Sequence, residues 1–260
     1  MNNDQPLPHS LRNSMPGGFI GFTPALALLI CIALALASAG CGVLGVGITG
    51  SGTTVTKEYE LAGFSRLAVG NAFQVEVTQG PKHSVAVTVD DNLVEYLDVS
   101  KSGDALRIKL QPQISVRHAT MKAAVTMPEL TGLDLSGAVR ASLTGFSSDN
   151  PLDAELSGAS HLRGDIKSGD ARFDVSGASR VELRGNAKAL KITASGASHA
   201  NFDEYQSGET TARASGASRI TVAPSGNLDA DASGASTVSY TGEPRDVKAH
   251  TSGASSVRRK

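Results

Sequence analysis

Between residues 136 and 255, apolar and polar residues alternate on both sides of a recurring tetrapeptide. The positions just before it are Leu135, Leu156, Val175, Ala194, Ala214, Ala232 and Thr251. Two residues further back stand Leu133, Ala154, Phe173, Ile192, Ala212, Ala230 and Ala249. After it, skipping one residue, come Ala141, Leu162, Val181, Ala200, Ile220, Val238 and Val257. Period-two alternation predicts strands with one buried face, whereas a helix would repeat its apolar residues at spacings of three and four. The tetrapeptide itself is Ser-Gly-Ala-Ser, or Ser-Gly-Ala-Val in its first copy. Its seven copies begin at Ser136, Ser157, Ser176, Ser195, Ser215, Ser233 and Ser252, in steps of 18 to 21 residues.

A step of this size marks a solenoid, in which one coil of chain stacks on the next. The repeat stretch lacks the Asn-Gly and Asp-Gly pairs that favour tight hairpins, so equivalent strands are expected to stack in parallel, about 4.8 Å apart. The predicted fold is all-β: a parallel β-helix with coils of about 19 residues and a thin axial core. Gly-Ala between two serines reads as a corner, because glycine permits a bend or close backbone approach that a Cβ blocks. The seven leading serines are expected to form a structural hydroxyl ladder along it. The pre-motif columns shrink from Leu and Phe to Ala and Thr, which predicts that the C-terminal coils are the softer end.

The rest of the chain is less regular. Residues 1–18 are polar, and residues 19–39 are almost wholly apolar, as in a signal peptide with a long leader. Ala37-Ser38-Ala39 is an A-x-A cleavage site. Ala39-Gly40-Cys41 resembles a lipobox, with Ser38 where leucine is usual, and would make Cys41 a lipidated N-terminus. An uncleaved anchor is a third reading, since 21 apolar residues can just span a bilayer. The expected organisation is therefore a signal segment over 1–40, a flexible Gly/Ser/Thr-rich tether over 41–54, a solenoid body over 55–257 and a charged tail over 258–260. Within the body, residues 73–77, 84–89, 105–110 and 123–127 read as strands, and Asp91–Leu97 as a short helix capped by Asp91 or Asn92. This irregular part is expected to form decorated first coils and the N-terminal cap that an open solenoid end requires. The three terminal cations would discourage end-to-end stacking.

Composition changes little in this picture. The net charge is −1, and removing residues 1–40 takes away one acid, Asp4, and one base, Arg12. No global attraction to nucleic acid follows. The only other cysteine, Cys31, lies in the apolar run, so a processed chain holds no intramolecular disulfide. Tryptophan is absent and aromatics make up 4%, which suits a narrow core.

Phe64–Gly80 (F-S-R-L-A-V-G-N-A-F-Q-V-E-V-T-Q-G), Val85–Leu97 (V-A-V-T-V-D-D-N-L-V-E-Y-L) and the tandem S-G-A-S coils together resemble one bacterial family, the putative autotransporter adhesin, head GIN domain family. The resemblance spans roughly residues 53–257. It implies a right-handed parallel β-helix in an exported or lipid-anchored protein, and a role in adhesion. It supplies no catalytic residues.

No residue is assigned a catalytic, metal-binding or cofactor-binding role. A serine repeated in every coil, without a G-x-S-x-G elbow, reads as structure rather than as a nucleophile. No H-x-x-x-H, C-x-x-C or G-G-x-G-x-D motif occurs. One column does carry candidate chemistry. The residue directly after each motif is Arg140, His161, Arg180, His199 and Arg219 in the first five copies, a row suited to an anionic polymer such as a surface glycan. Two residues before the motif stand Asp134, Glu155 and Asp174, then Thr193, Arg213, Asp231 and His250. The bland alternative is that both rows are solvated outer faces paired across the bend. The expected function is a non-catalytic binding or adhesin-like module of the cell envelope, held to a membrane by lipid or anchor, with a surface glycan or protein as partner. The alternatives are a carbohydrate-active enzyme on the same fold or an envelope scaffold or sensor. A groove gathering three or more carboxylates with a basic residue would favour the enzyme.

Overall fold

The corner tetrapeptides set the architecture, because each bends the chain between two faces of its coil and stacks on the corner before it. A computed structural model describes residues 46–260. The cleavage and lipidation sites expected up to Cys41 lie outside the described residues. The irregular N-terminal part contains β1 (Val46–Thr49), β2 (Thr54–Tyr59), β3 (Arg66–Val69), β4 (Gln74–Gln79), β5 (Ser84–Asp90), β6 (Leu97–Ser102), β7 (Ala105–Leu110), β8 (Ile114–Arg117) and β9 (Met121–Met127). The repeats supply β10 (Gly132–Leu135), β11 (Arg140–Ser147), β12 (Leu152–Leu156), β13 (His161–Lys167), β14 (Asp170–Val175) and β15 (Arg180–Ala194). They continue with β16 (His199–Ala214), β17 (Arg219–Pro224), β18 (Asn227–Ala232), β19 (Thr237–Tyr240), β20 (Asp246–Thr251) and β21 (Ser256–Arg259). The result is a β-solenoid of about six turns with coils of about 20 residues.

Strands before and after the corner form separate faces. Before it the order is β6-β7-β3-β10-β12-β14, then the second halves of β15 and β16, then β18 and β20. After it the order is β2-β5-β9-β4-β11-β13, then the first halves of β15 and β16, then β17, β19 and β21. Pairing is parallel except for β2–β5, β5–β9 and β6–β7 at the N-terminal end. The pre-motif column aligns as read: Leu135 opposes Leu156, which opposes Val175, and so on to Thr251.

Each corner is a stack of backbone hydrogen bonds. The Ala159 N–H donates to the Gly137 carbonyl at 2.6 Å, and the Ala178 N–H to that of Gly158 at 2.7 Å. The motif glycines all take left-handed φ values, between 72° and 89°. The turn Gly70-Asn71-Ala72-Phe73 is an eighth corner without the tetrapeptide. Asn71 stands in the glycine position at φ 61°, and its carbonyl receives the Ala138 N–H. Asparagine tolerates this region better than most residues, and its Oδ1 also accepts the Leu110 N–H at 2.8 Å.

The serine ladder differs from the expectation. The leading serines, Ser136 to Ser233, are half-buried, and Ser252 is exposed. The fourth motif position points inward: Ser160, Ser179, Ser198, Ser218 and Ser236 are buried. The hydroxyls of Ser160, Ser198, Ser218 and Ser236 donate to carbonyls rather than to one another, and the Ser179 hydroxyl accepts the Ser160 N–H at 3.3 Å. The Ser198 hydroxyl donates to Val175 at 3.2 Å, that of Ser218 to Ala194 at 3.1 Å and that of Ser236 to Ala214 at 3.1 Å. The carbonyl is the stronger acceptor, and one coil's hydroxyl reaches the carbonyl of the coil before. In the first two corners the same position is apolar and buried, Phe73 and Val139.

Two further expectations change. Val46–Thr49, inside the stretch read as a tether, is a strand in parallel register with Ile114–Arg117. Composition read this Gly-rich stretch as coil, but the edge of β8 gives its backbone a partner. The short helix is a 3₁₀ turn over Asp91–Tyr96 with Asp90 in the cap position and no side-chain cap bond. Asp90 is instead buried and accepts the Thr120 N–H at 3.0 Å, while Asn92 donates to the Thr49 carbonyl at the end of β1 and Asp91 accepts the Ser51 hydroxyl just beyond it.

The axial core does not thin evenly. Phe173, Phe202 and Tyr205 pack with ring centroids 4.8 and 5.6 Å apart, in a core whose middle coils also hold buried small residues such as Ala200 and Ala212. Phe202 and Tyr205 enter at an irregularity between β16 and β17, where the register shifts between Phe202 and Gln206. The Tyr205 hydroxyl meets Ser168 at 3.0 Å, so the buried phenol is satisfied.

Candidate functional site

Parallel register carries the post-corner residues into one row. Arg140 opposes His161, His161 opposes Arg180, Arg180 opposes His199, and His199 opposes Arg219. The side chains alternate outward with buried neighbours such as Ala141, Leu162 and Val181, so the row lies on the outer surface. It also runs past the first repeat. Arg140 opposes Gln74, which opposes Lys122, an exposed cation. Sequence reasoning missed this extension because β4 and β9 follow no tetrapeptide. The sequence G-N-A-F at residues 70–73 was the available signal.

The arginines are exposed and the two histidines between them half-buried. Burial lowers the His161 pKa from the ordinary histidine value, Glu182 opposes this, and Arg180, Arg140 and Arg163 add to it. Burial likewise lowers the His199 pKa, reinforced by Arg180 and Arg219 and opposed by Glu182. The His161 Nε2 has no hydrogen-bond partner among the described residues. Neutral histidines therefore separate successive guanidiniums. This relieves the like-charge repulsion that five adjacent cations would suffer.

The acidic row before the corner does not pair around the bend among the described residues. Its ion pairs stay on their own face: Arg172 with Asp174 at 2.6 Å and Arg213 with Asp231 at 3.2 Å. Strands on the two sides of the corner belong to different faces, so side chains in a common register are nearer than side chains across the turn. On the basic side, Arg180 lies 3.9 Å from Glu182.

Beside the basic row runs an open groove of about 620 Å³. It is lined by Glu76, Asp165, Glu182, Asp203 and Glu204, with Arg163, Arg184 and several hydroxyls. Arg184 holds Glu204 at 2.8 Å. This groove meets the criterion of three carboxylates with a basic residue. Among the described residues, no three His, Cys, Asp or Glu side chains gather closely enough to hold a metal ion. No helix among them is long and apolar enough to cross a membrane.

This face can hold an extended ligand along the coils. Its guanidiniums present planar forks to oxyanions, and the adjoining groove supplies both donors and acceptors to a hydroxylated chain.

Solved structures share the architecture. A putative adhesin from Bacteroides fragilis NCTC 9343 is 21% identical with a TM-score of 0.77, covering 82% of this chain and all of that one (100%). A putative lipid binding protein from Parabacteroides distasonis ATCC 8503 is 20% identical with a TM-score of 0.65, covering 82% of this chain and 99% of that one. A putative adhesin from Parabacteroides merdae ATCC 43184 is 17% identical with a TM-score of 0.64, over 82% and 99% of the two chains. At these identities the likeness is one of fold. No curated protein matches the chain in sequence. The family described as putative auto-transporter adhesin, head GIN domain matches residues 63–244, most of the chain and nearly all of the solenoid, and the protein belongs to that family.

Proposed function

We propose that the protein is an exported, lipid-anchored binding module of the cell envelope, and that its outward basic row engages an anionic polymer such as a surface glycan. The single observation that supports this most is the in-register stacking of Arg140, His161, Arg180, His199 and Arg219 on one exposed face. Arginine recurs on every second coil, about 9.6 Å apart, a spacing suited to a linear chain with regularly placed charges. Family membership supports an adhesive role at the surface, and Cys41 is the expected lipid attachment point.

The test is binding of the purified chain to a polyanion such as heparin or alginate at low and high salt. Replacing Arg140, Arg180 and Arg219 with Ser is expected to abolish salt-sensitive binding. Binding that survives the triple substitution removes the row from the function. A second reading, a carbohydrate-active enzyme, is favoured by the carboxylates of the adjoining groove. The same incubations separate the two: a polymer that shortens with time, and stops shortening when Glu182 is changed to Gln, supports catalysis over simple binding.

A further inference from the structure

At the C-terminal end of the same face lies a shallow cup of about 510 Å³. Its rim carries Arg219 and Arg258, and its floor holds Asn201, Thr221 and Ser239. The floor is one column of the solenoid: Asn201 opposes Thr221, Thr221 opposes Ser239, and Ser239 opposes Arg258. Thr221 and Ser239 are each 7% exposed, so their hydroxyls lie at the base of the cup. Neither hydroxyl has a hydrogen-bond partner among the described residues.

Charge at the cup is unevenly committed. Arg259 is held by Glu243 at 3.3 Å, and Lys260 by Asp203 at 3.0 Å. Arg219 and Arg258 meet no carboxylate among the described residues. Two unpaired guanidiniums over a floor of free hydroxyls form a receptor for an oxyanion attached to a hydroxylated molecule. The guanidinium forks match the oxyanion, and the hydroxyls and the Asn201 amide match ring hydroxyls. We propose that the cup binds an acidic sugar unit, through the carboxylate or phosphate it carries, at the end of the basic row. The proposal rests on the binding-module reading and shares Arg219 with the row. Arg258, which lies outside the row, therefore carries the test.

The purified full-length chain is titrated with glucuronate, glucose 1-phosphate, glucose and inorganic phosphate, following amide shifts by NMR. The expected result is binding of an acidic sugar but not of glucose. Arg258→Ser weakens that binding about tenfold or more, as expected for loss of a charged hydrogen bond. Arg140→Ser leaves it unchanged. Preference for glucuronate assigns a carboxylate, and preference for glucose 1-phosphate assigns a phosphate. No binding of either acidic sugar, or equal affinity in wild type and Arg258→Ser, overturns the proposal. Inorganic phosphate binding as tightly as both sugars also overturns it, because the floor then contributes nothing. Failure of the row is read separately: if adding Arg140→Ser and Arg180→Ser to the Arg258→Ser chain leaves its polyanion binding unchanged, the row is removed without touching the cup.

Discussion

Gly177 illustrates two demands made at one position. Its φ of 72° is a conformation that a side chain disfavours, and an added Cβ would lie 2.3 Å from the Gly158 carbonyl oxygen. The left-handed conformation alone costs a non-glycine residue about 1–2 kcal/mol, and the contact with rigid backbone adds to that. Gly177→Ala is therefore expected to destabilise the protein by about 2 kcal/mol or more, read as a lower midpoint in urea unfolding. An unchanged midpoint would mean that the corner relaxes freely. The motif's small residues were legible in the sequence as corner formers. The inward turn of the fourth residue was not, because Ser at both ends of the tetrapeptide looks symmetric until the backbone gives each a direction.

Among the elements, the histidines of β13 and β16 tie the outer row to pH. Both have folded-state pKa values below the ordinary value of about 6.5, first because of burial and then because arginines face them. The unfolded chain therefore binds more protons than the folded one between those lowered values and about 6.5. The associated stability is fully present above that value and is lost as the pH falls through the window. Thermal midpoints are expected to drop between pH 7.5 and pH 5.5, and to drop less when His161 and His199 are both changed to Gln. A double variant with the same pH dependence as wild type would contradict this account. The row of five could be read from the sequence because each rung follows a tetrapeptide. Its continuation to Gln74 carried only the weaker signal of G-N-A-F, and the further step to Lys122 none, since β9 reaches β4 through tertiary pairing.

Across the whole molecule, the last coil differs from those before it. Leu133, Leu135, Leu152 and Leu156 are buried in the early coils, whereas Val247 and Val257 are only half-buried and Ala249 and Thr251 are exposed. Burying leucine rather than alanine stabilises by roughly 2 kcal/mol or more per site. Amide hydrogen exchange is therefore expected to be faster in β20 and β21 than in β10 and β12, as local opening follows the density of buried contacts. Equal protection at the two ends would show that the ladder alone sets local stability. The aromatic cluster of Phe173, Phe202 and Tyr205 limits the softening to the far end, because it fills the middle coils where the columns have already turned to alanine.

By itself the sequence determined the β-solenoid, the coil length, the register of the repeats and the identity of the basic row. A repeated period-two pattern with a fixed corner admits few other ways of burying its apolar face. Only the tertiary structure decided what depends on neighbours distant in the chain. It made Val46–Thr49 a strand by offering it the edge of β8. It put Asn71 where the repeats have glycine, and gathered Glu76, Asp165, Glu182 and Arg163 into a groove beside the row. It also set Arg258 at the end of a column that passes through Glu182, Asn201, Thr221 and Ser239. Residues far apart in sequence become neighbours through stacking, and outside the tetrapeptides and the related corner at residues 70–73 the sequence carries little local mark of that adjacency.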